Sequence, residues 1–373
     1  MAIQSKKSSA APATGKSTTL NLKSFSSAHT INHKDRKFFT EQMALLLETG
    51  SSMQASLMAL KNQLSKPSMV ELVAQLLDDV EQGRQFSAAL AKHPDVFSKT
   101  YTNLIAASEA GGYLHEVMEQ LLEMEDKKEK LRQTMMSALS YPLFLLVFAF
   151  AVVVFVLVVV FPKFADLFSQ IADQLPATTV FLMATSELIQ HYWLYLILGF
   201  VITITGFIAW SRSAMGKQKL DWAKLHVPFV KDIFSQLYLV QSLRVLSLSL
   251  GNGVNIIESL QACRDVVSNT LFQDFIHHVE EQVEQGKGIA IGFQNTSFIP
   301  PVVAQMIQTG EDTGNLSKVL RRLAAYYETE LSNKLQTISR LAEPFMLLLM
   351  GGVVGLIVSS LILPIFKLSR AVG

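Results

Sequence analysis

Apolar residues along this chain follow two patterns, and each pattern predicts a different kind of helix. Through the polar parts of the chain they recur every three or four residues, as in the stripe formed by Met69, Leu72, Val73, Leu76, Leu77 and Val80. That spacing is typical of an amphipathic α-helix. In three other places the chain is almost entirely apolar over 19 residues and carries no charged side chain: 143–161, 192–210 and 345–363. Such runs have no polar face and predict helices that lie in lipid.

Each apolar run is long enough to cross a bilayer. A helix of 19 residues is about 28 Å long at ~1.5 Å per residue, and the hydrocarbon core of a bilayer is about 30 Å thick. The second run begins at Tyr192 and Trp193 and ends at Trp210, and such aromatic side chains favour the headgroup region. We therefore predict three transmembrane helices, at residues 142–162, 192–210 and 344–364.

Basic residues near the ends of these helices predict the orientation of the chain, because they favour the cytoplasmic side. They cluster before the first helix, at Lys127, Lys128, Lys130 and Arg132, and after the second, at Arg212, Lys217, Lys219, Lys224 and Lys231. The connection 163–191 has a single Lys or Arg residue, Lys163. We expect the amino terminus and residues 211–341 in the cytoplasm, and residues 163–191 and 365–373 in the periplasm. Lys367 and Arg370 run against this assignment, whereas Lys334 and Arg340 before the third helix support it.

The chain contains an internal repeat. Residues 80–84 (VEQGR) recur as residues 283–287 (VEQGK), an offset of 203. After a deletion of one residue the offset becomes 202, and three further sets correspond: Glu109, Gly112 and Leu114 with Glu311, Gly314 and Leu316; Pro142 with Pro344; Pro162 and Phe164 with Pro364 and Phe366. Each copy is a soluble domain, 32–141 or 211–341, followed by one membrane helix bracketed by prolines. The second membrane helix then returns the chain to the cytoplasm.

The patterns predict an all-α membrane protein with two duplicated cytoplasmic helical-bundle domains and three transmembrane helices. The second copy repeats the stripe of the first, with Phe272, Phe275, Ile276, Val279 and Val283, and no run has the period of two that strands require. About six short helices per bundle fit the spacing of the stripes. Residues 1–31 are rich in Ser, Ala, Thr and Lys without an apolar run, so we expect a disordered basic tail rather than a signal peptide.

The duplicated turns and membrane segments carry a family resemblance. The turns read Glu109-Ala-Gly-Gly112-Tyr-Leu114 and Glu311-Asp-Thr-Gly314-Asn-Leu316, and the membrane segments begin at Tyr141-Pro142 and Glu343-Pro344. They end at Phe161-Pro162 and Leu363-Pro364. Over about residues 38–368 the chain resembles the type II secretion F / type IV pilus C family of inner-membrane platform proteins. Many pilus-type members have a longer ordered segment before the first repeat, and Tyr141 and Glu343 differ between the copies. The secretion and pilus branches therefore both stay open.

The resemblance implies a function that composition alone does not show. Such proteins lie in the bacterial inner membrane at the base of a pilus or pseudopilus machine and catalyse no covalent chemistry. The implied partners are a hexameric cytoplasmic ATPase, pilin or pseudopilin subunits, other inner-membrane assembly proteins and the lipid bilayer. The implied role is to couple the ATPase to extraction of pilins into a growing fibre. A homo-oligomer is expected, because the machinery is ring-like.

Composition and motifs restrict the partners and sites that the chain can have. Half of the residues are hydrophobic, 17% are charged and the net charge is +1, whereas a nucleic-acid partner calls for a basic surplus. The single cysteine, Cys263, excludes an internal disulfide framework and a cysteine zinc site. Ala10–Ser17 (AAPATGKS) matches a relaxed phosphate loop, but no apolar strand precedes it and no helical stripe follows, so we interpret it as a chance match. We expect no cofactor and no catalytic residue.

Three sets of residues remain as candidate sites, each with two interpretations. Glu109, Gly112, Glu311 and Gly314 could form acidic catalytic sites, cation sites or partner contacts, but their duplication favours structural turns. His277 and His278 point about 100° apart on a helix, which favours a solvated face over a metal site. Gly351 and Gly355 form a Gly-x-x-x-Gly spacing that permits close helix packing, either within the chain or with a second copy or a pilin. Pro142 and Pro344 mark the entry into the membrane.

Two other classes of protein compete with the platform. A transporter or channel would place ionisable groups along its membrane path, and none of the three apolar runs contains Asp, Glu, Lys, Arg or His. Three helices also form only a small pore unless several copies assemble. A membrane-anchored signalling adaptor built from helical bundles is the third interpretation. We expect the platform.

Overall fold

A computed structural model describes residues 31–169, 175–228, 230–294 and 296–372. The first copy folds into α1 His33–Glu48, α2 Met53–Gln63, α3 Pro67–Glu81, α4 Phe86–Ala91, α5 Lys99–Gly111 and α6 Leu114–Phe155. A π-helical segment, Val156–Val160, then leads into α7 Phe161–Ser169, α8 Ala177–Arg212 and α9 Ala214–His226. The second copy comprises α10 Val230–Gly251, α11 Ile256–Val266, α12 Thr270–Glu284, α13 Ile289–Phe293, α14 Pro301–Asp312 and α15 Leu316–Val372.

The predicted fold class is confirmed: every regular element in the described ranges is a helix, and the domain is duplicated. Helices α1 to α6 correspond in order to α10 to α15. Residues 1–30, which include the match at Ala10–Ser17 and most of the expected disordered tail, lie outside the described residues. So do residues 170–174 of the expected periplasmic connection and Gly373 at the end of the expected tail.

The corresponding helices α2 and α11 begin in the same way although their capping residues differ. The Ser52 hydroxyl accepts a hydrogen bond from the N–H of Ala55 at the start of α2. At the equivalent position the amide oxygen of Asn255 accepts one from the N–H of Ile257 at the start of α11. Both side chains satisfy a backbone donor that the first turn leaves without a helical partner. The helix boundary is therefore set by the chemistry of the cap, not by one residue type.

The two apolar cores are built from equivalent positions. In the first repeat Met69, Leu72, Val73 and Leu76 are buried, and their counterparts Phe272, Phe275, Ile276 and Val279 are buried in the second. The helical stripes identified in the sequence thus face inward in both copies. Phe272 lies against several rings, with centroid distances of 5.6 Å to Tyr238, 5.4 Å to Phe275 and 5.7 Å to Phe298. The second core is therefore richer in aromatic contacts, whereas the first uses a methionine at the same place.

The last helix of each repeat continues without a break into the apolar segment. Helix α6 has 42 residues and contains Pro142, and α15 has 57 residues and contains Pro344 and Pro364. The sequence placed domain boundaries at these prolines, and the structure has helix on both sides of each. Near the far end of α6, the π-helical segment lies just before Pro162. A proline has no N–H for the carbonyl four residues earlier and crowds it, so a locally widened turn there is physically reasonable.

Among the described residues, four helices are long and apolar enough to cross a membrane: Leu114–Phe164, Ala177–Arg212, Val230–Gly251 and Leu316–Pro364. The sequence predicted three. The additional one is α10, where 61% of the apolar window is buried inside the protein, against 11%, 0% and 17% in the other three. Length and composition therefore leave the number of spanning helices open, while burial separates α10 from the others.

Helix α8 is longer than the segment 192–210 that the sequence assigned to the membrane. It begins at Ala177, inside the predicted periplasmic connection, and has a non-helical backbone at Tyr192 (φ −113°, ψ 17°). Before Tyr192 it packs on the π-helical segment and α15 through Leu157, Leu182 and Ile357. Beyond Tyr192 the large apolar side chains up to Trp210 are exposed. The kink thus divides a packed half of α8 from an unpacked apolar half.

Candidate functional site

The glutamates of the two repeated turns each bind the start of a short helix. Glu109 accepts hydrogen bonds from the N–H of Phe86 (2.5 Å, Oε1) and of Ser87 (3.0 Å, Oε2) at the start of α4. Glu311 accepts from the N–H of Ile289 (2.5 Å) and of Ala290 (3.1 Å) at the start of α13. A carboxylate at this position satisfies buried donors and complements the positive end of the helix. Each carboxylate oxygen therefore already has a backbone partner.

The glycines of these turns end the preceding helices in the left-handed region. Gly112 has φ +75° and Gly314 has φ +67°. The N–H of Gly112 donates to the carbonyl of Ser108 at 2.8 Å, and in the second copy the N–H of Asn315 donates to the carbonyl of Gly310 at 2.9 Å. Glycine is favoured there because a Cβ atom makes positive φ costly. Each turn therefore ends the helix that carries the glutamate, Glu109 on α5 and Glu311 on α14, within a few residues of that glutamate.

The first half of α8 contacts the π-helical segment and α15 through hydroxyl groups as well as apolar side chains. Ser186 on α8 donates to the carbonyl of Leu157 at 2.5 Å, within the π-helical segment, and Gln190 donates to Ser186 at 2.9 Å. Thr179 on α8 donates to the carbonyl of Ser360 on α15 at 2.8 Å. These bonds hold the first half of α8 against the ends of the two long apolar helices. The sequence did not indicate these contacts, because residues 163–191 were assigned to a connection without a predicted helix.

Gly351 and Gly355 on α15 contact no other segment in the described part of the chain. A Cβ atom built on either glycine would have no neighbour within 4 Å, and both residues are exposed. Of the two interpretations of this Gly-x-x-x-Gly spacing, packing within the chain is therefore absent at these glycines. Pro142 and Pro344 lie inside continuous helices, close to the level where the long apolar runs begin.

The two repeats contact each other through polar and apolar groups that the sequence did not reveal. The hydroxyl of Tyr113 donates to the carbonyl of Asn252 at 2.8 Å, and the Asn252 amide donates to Gln120 Oε1, also at 2.8 Å. Leu248 and Val254 of the second repeat belong to the core of the first. Closer to the apolar segments, α6 and α15 pack on each other through Leu131 and Ala138 of α6 and Leu331 and Leu335 of α15. The two domains therefore form one continuous packed body.

A cavity of about 400 Å³ lies between the repeats, with Arg36, Lys128, Arg132 and Arg244 among its lining residues. Arg36 Nε contacts Glu125 Oε1 at 2.6 Å. Burial, together with the nearby Arg36 charge, lowers the pKa of Lys128 below its usual range. The side chains of Met124 and Leu131 form part of the apolar lining of the cavity. Glu125 and Asp265 also line the cavity, and Arg244 pairs with Glu328 at 2.7 Å, so acidic side chains offset much of the positive charge.

No cluster of three or more His, Cys, Asp or Glu able to hold a metal occurs in the described ranges. The side chains of His277 and His278 are 55% and 60% exposed, and their nearest acidic neighbours are Glu280 and Glu281 at 3.4–3.7 Å. Cys263 is buried, and burial raises the pKa of its thiol, which disfavours the reactive thiolate. These groups therefore have the surroundings of structural residues.

The fold thus defines a class of protein: an α-helical membrane protein whose bundle domain occurs twice, each time continuing into a long apolar helix. The chain belongs to the family described as Type II secretion system (T2SS), protein F, which matches residues 39–162 and 242–364. These two matches cover the two repeats, each from its first helix to the end of its membrane segment. Members of this family are non-catalytic platform proteins of secretion and pilus machinery, so the chain is not an enzyme.

Relatives from both branches of the family are similar to the chain. The type IV pilus assembly protein PilC of Thermus thermophilus is 31% identical over 90% of this chain and 82% of its own length. The type II secretion system protein F of Aeromonas hydrophila is 30% identical over 90% of this chain and 86% of its own. The PilC protein of Pseudomonas aeruginosa is 28% identical, covering 91% of each chain. The degree of identity does not separate the pilus branch from the secretion branch.

Proposed function

We propose that the chain is the inner-membrane platform of a type IV pilus or type II secretion machine and couples a cytoplasmic assembly ATPase to pilin or pseudopilin extraction. Its membership of the family and its similarity to PilC and protein F relatives support the general role. One structural observation carries the coupling: α6 and α15 each run uninterrupted from a soluble bundle into an apolar segment. A continuous helix resists extension, so a displacement of the bundle is passed to its membrane end.

The proposed topology has three spanning helices, with the amino terminus and both bundles in the cytoplasm. Helix α10 is excluded from the bilayer because most of its apolar window is buried in the second core. Residues 163–191 and 365–373 then lie on the periplasmic side, as the distribution of basic residues favours. A reporter fused after Gly373 that is active only outside the cytoplasm tests this arrangement. Cytoplasmic activity of that fusion would contradict it.

The coupling proposal is tested by breaking α6 between bundle and membrane. Gln133 and Thr134 lie on α6 beyond the bundle and before the apolar run, and replacing both with glycine weakens the helix at that point. A matched control replaces Pro94 and Asp95, which are exposed in the loop between α4 and α5, with the same pair. We expect fibre assembly to fall sharply in the α6 variant while the ATPase still co-purifies. Equal loss in both variants would contradict transmission along α6.

Partner identity is tested separately by crosslinking in cells followed by mass spectrometry. The proposal requires a hexameric ATPase to crosslink to the cytoplasmic bundles and pilin subunits to crosslink to the membrane helices. Recovery of neither from any part of the chain would reject the platform role. Purified protein in liposomes addresses the alternative class, because a transporter or channel would carry solute across the bilayer and a platform would not.

Three residue sets enter the proposal with narrower roles. Glu109, Gly112, Glu311 and Gly314 act as structural turns that hold α4 and α13 in place, supported by their backbone hydrogen bonds. Gly351 and Gly355 act in packing against a helix outside this chain, either a pilin or a second copy, supported by their open surroundings. Pro142 and Pro344 mark the level at which α6 and α15 enter the membrane.

A further inference from the structure

The contact between the two repeats uses a different face of each repeat. The first repeat contributes α5 and the start of α6, through Thr100, Tyr113 and Gln120, and the second contributes α10 and α11, through Asn252 and Ala262. Helix α6 also packs on α15, through Leu131 and Leu331, and here too the positions differ, because the counterparts of these leucines are Asn333 and Glu129. A reciprocal contact would also join the counterparts of Tyr113 and Asn252, which are Asn315 and Thr49. Those side chains instead bond to their own turns: Asn315 to the carbonyl of Thr313 and Thr49 to that of Leu46. The contact is therefore heterologous, so each repeat has one equivalent face left unused.

The unused face of the second repeat exposes apolar side chains at the positions that are buried in the first. Leu104 on α5 is 0% exposed, whereas its counterpart Met306 on α14 is 38% exposed. Thr100 is 1% exposed, whereas its counterpart Val302 is 48% exposed. Tyr326, the counterpart of the partly buried Met124, is 62% exposed. We call Val302, Met306, Asn315, Arg322 and Tyr326 the α14–α15 face.

The unused face of the first repeat likewise exposes side chains whose counterparts in the second repeat are buried or line the contact between the repeats. Leu248 is 8% exposed where it enters the first core, and its counterpart Leu45 on α1 is 53% exposed. Met58 is 51% exposed beside Ala59, the counterpart of the buried Ala262. Phe38 is 40% exposed and is the counterpart of Gln241, which lines the cavity between the repeats. We call Phe38, Glu41, Leu45, Thr49 and Met58 the α1–α2 face.

We propose that the α14–α15 face of one copy binds the α1–α2 face of a second copy of this chain, repeating between copies the contact that joins the repeats within one copy. Continuity with the internal contact is the first argument, because the two unused faces are the equivalents of the two that already fit together. The helices α6 and α15 both run from bundle to membrane, so a repeated contact keeps all membrane segments on the same side. The resulting assembly is head-to-tail, and its size depends on whether the rotation per copy closes a ring.

Charge supplies a second argument for the second copy. Within the chain, Arg244 of the second repeat lines a small cavity together with Gln120 and Glu123 of the first. The counterparts of Arg244 and Gln120 are Glu41 and Arg322, both exposed. The repeated contact therefore brings an acidic side chain beside a basic one. Electrostatic complementarity of this kind favours the correct partner and register. This inference concerns self-association and does not rest on the proposed function.

Crosslinking of the full-length chain in native membranes tests the proposal. The variant pair L45C and Y326C replaces exposed side chains on the two faces, whereas the native Cys263 is buried. With a short bismaleimide, we expect the double variant to give dimers and higher multiples, and each single variant to give monomer. A matched control pairs Y326C with E71C, on the exposed side of α3. Absence of multiples from L45C/Y326C, or equal multiples from the control pair, would overturn the proposal.

Charge exchange distinguishes a specific contact from crowding. In the crosslinkable background, E41R and R322E are each expected to lower the yield of multiples several-fold, since each places like charges together. The combined E41R/R322E variant is expected to restore the yield. All four positions are on the surface, and circular dichroism checks that each variant folds. Crosslinking of Y326C to a different protein instead of a second copy would assign these faces to another partner and refute the proposal, as would failure of the double exchange to restore multiples.

Discussion

The first and second repeats hold equivalent helices with different polar groups. In the first, Asp79 on α3 accepts from Lys92 at 2.7 and 2.6 Å and also contacts Arg84. In the second, the counterpart of Asp79 is the amide Gln282, whose oxygen accepts from Lys287 at 2.7 Å. The glutamate caps, by contrast, are the same in both copies. The glutamates that bind the starts of α4 and α13 are thus the same in both copies, whereas the buried Asp79 with its two basic partners is replaced by an amide. A backbone N–H is present whatever the side chain, so a carboxylate that binds one can be repeated while the side-chain partners around it change.

The largest expected loss of stability comes from substitutions in the two cores, where equivalent positions hold side chains of different size. We expect Phe272→Ala to cost roughly 3–5 kcal/mol and Met69→Ala roughly 2–5 kcal/mol, since each leaves a cavity. Phe272 has three aromatic neighbours, so the free-energy cost of Phe272→Ala should lie at the upper end of its range. Hydrogen exchange of the detergent-solubilised protein, resolved by repeat, measures both. A larger loss from Met69→Ala would contradict the comparison of the two cores.

The glutamate caps should give a smaller effect that is equal in both copies. Glu109→Ala leaves the N–H groups of Phe86 and Ser87 without partners, and Glu311→Ala does the same to Ile289 and Ala290. We expect each substitution to cost roughly 1–3 kcal/mol, the cost of an unsatisfied buried polar group. Faster hydrogen exchange in α4 or α13 is the readout. Loss of fibre assembly without any change in exchange would instead indicate a partner-binding role.

The turn glycines Gly112 and Gly314 allow the two repeats to be compared through the backbone alone. At φ +75° and +67°, Gly112→Ala and Gly314→Ala place a Cβ atom in the left-handed region, which costs about 1–2 kcal/mol. The space around a Cβ atom is open at both positions, so only the backbone contributes. We expect equal decreases in thermal stability. A clear inequality between the two variants would show that one turn has a further contact in the assembled protein.

The smallest expected effect is a pH dependence confined to the first repeat. The hydrogen bond from Lys92, with the charges of Arg84 and Lys92, lowers the pKa of Asp79. A lowered pKa in the folded state adds stability that is present above the unfolded pKa of about 3.9 and lost as pH falls toward the folded value. Acid should therefore weaken α3 and α4 more than α12 and α13. Asp79→Asn should abolish that difference in hydrogen exchange, and its persistence would assign the effect to another group.

Much of the fold could be predicted because it depends on local pattern. The stripe at Met69 to Val80 faces the core, and the paired turns at Gly112 and Gly314 end helices, as their periodicity and residue types indicate. Pro142 and Pro344 show what a local signal leaves undecided. A proline can start a helix or kink one, and each of these two lies within one continuous helix. The start of α8 at Ala177 was not indicated either, because residues 177–191 lack the uninterrupted apolar run that marked residues 192–210.

The sequence by itself determined the helical class, the duplication and the apolar segments, since periodicity, glycine turns and long apolar runs act through neighbours along the chain. Only the tertiary structure decided that α10 lies inside the second core although its composition suits a membrane, and that Leu248 is buried while its counterpart Leu45 is exposed. Both depend on which surfaces of distant helices meet. Equivalent residues in a repeat share their local geometry, but a heterologous contact gives them different neighbours, and burial follows the neighbours.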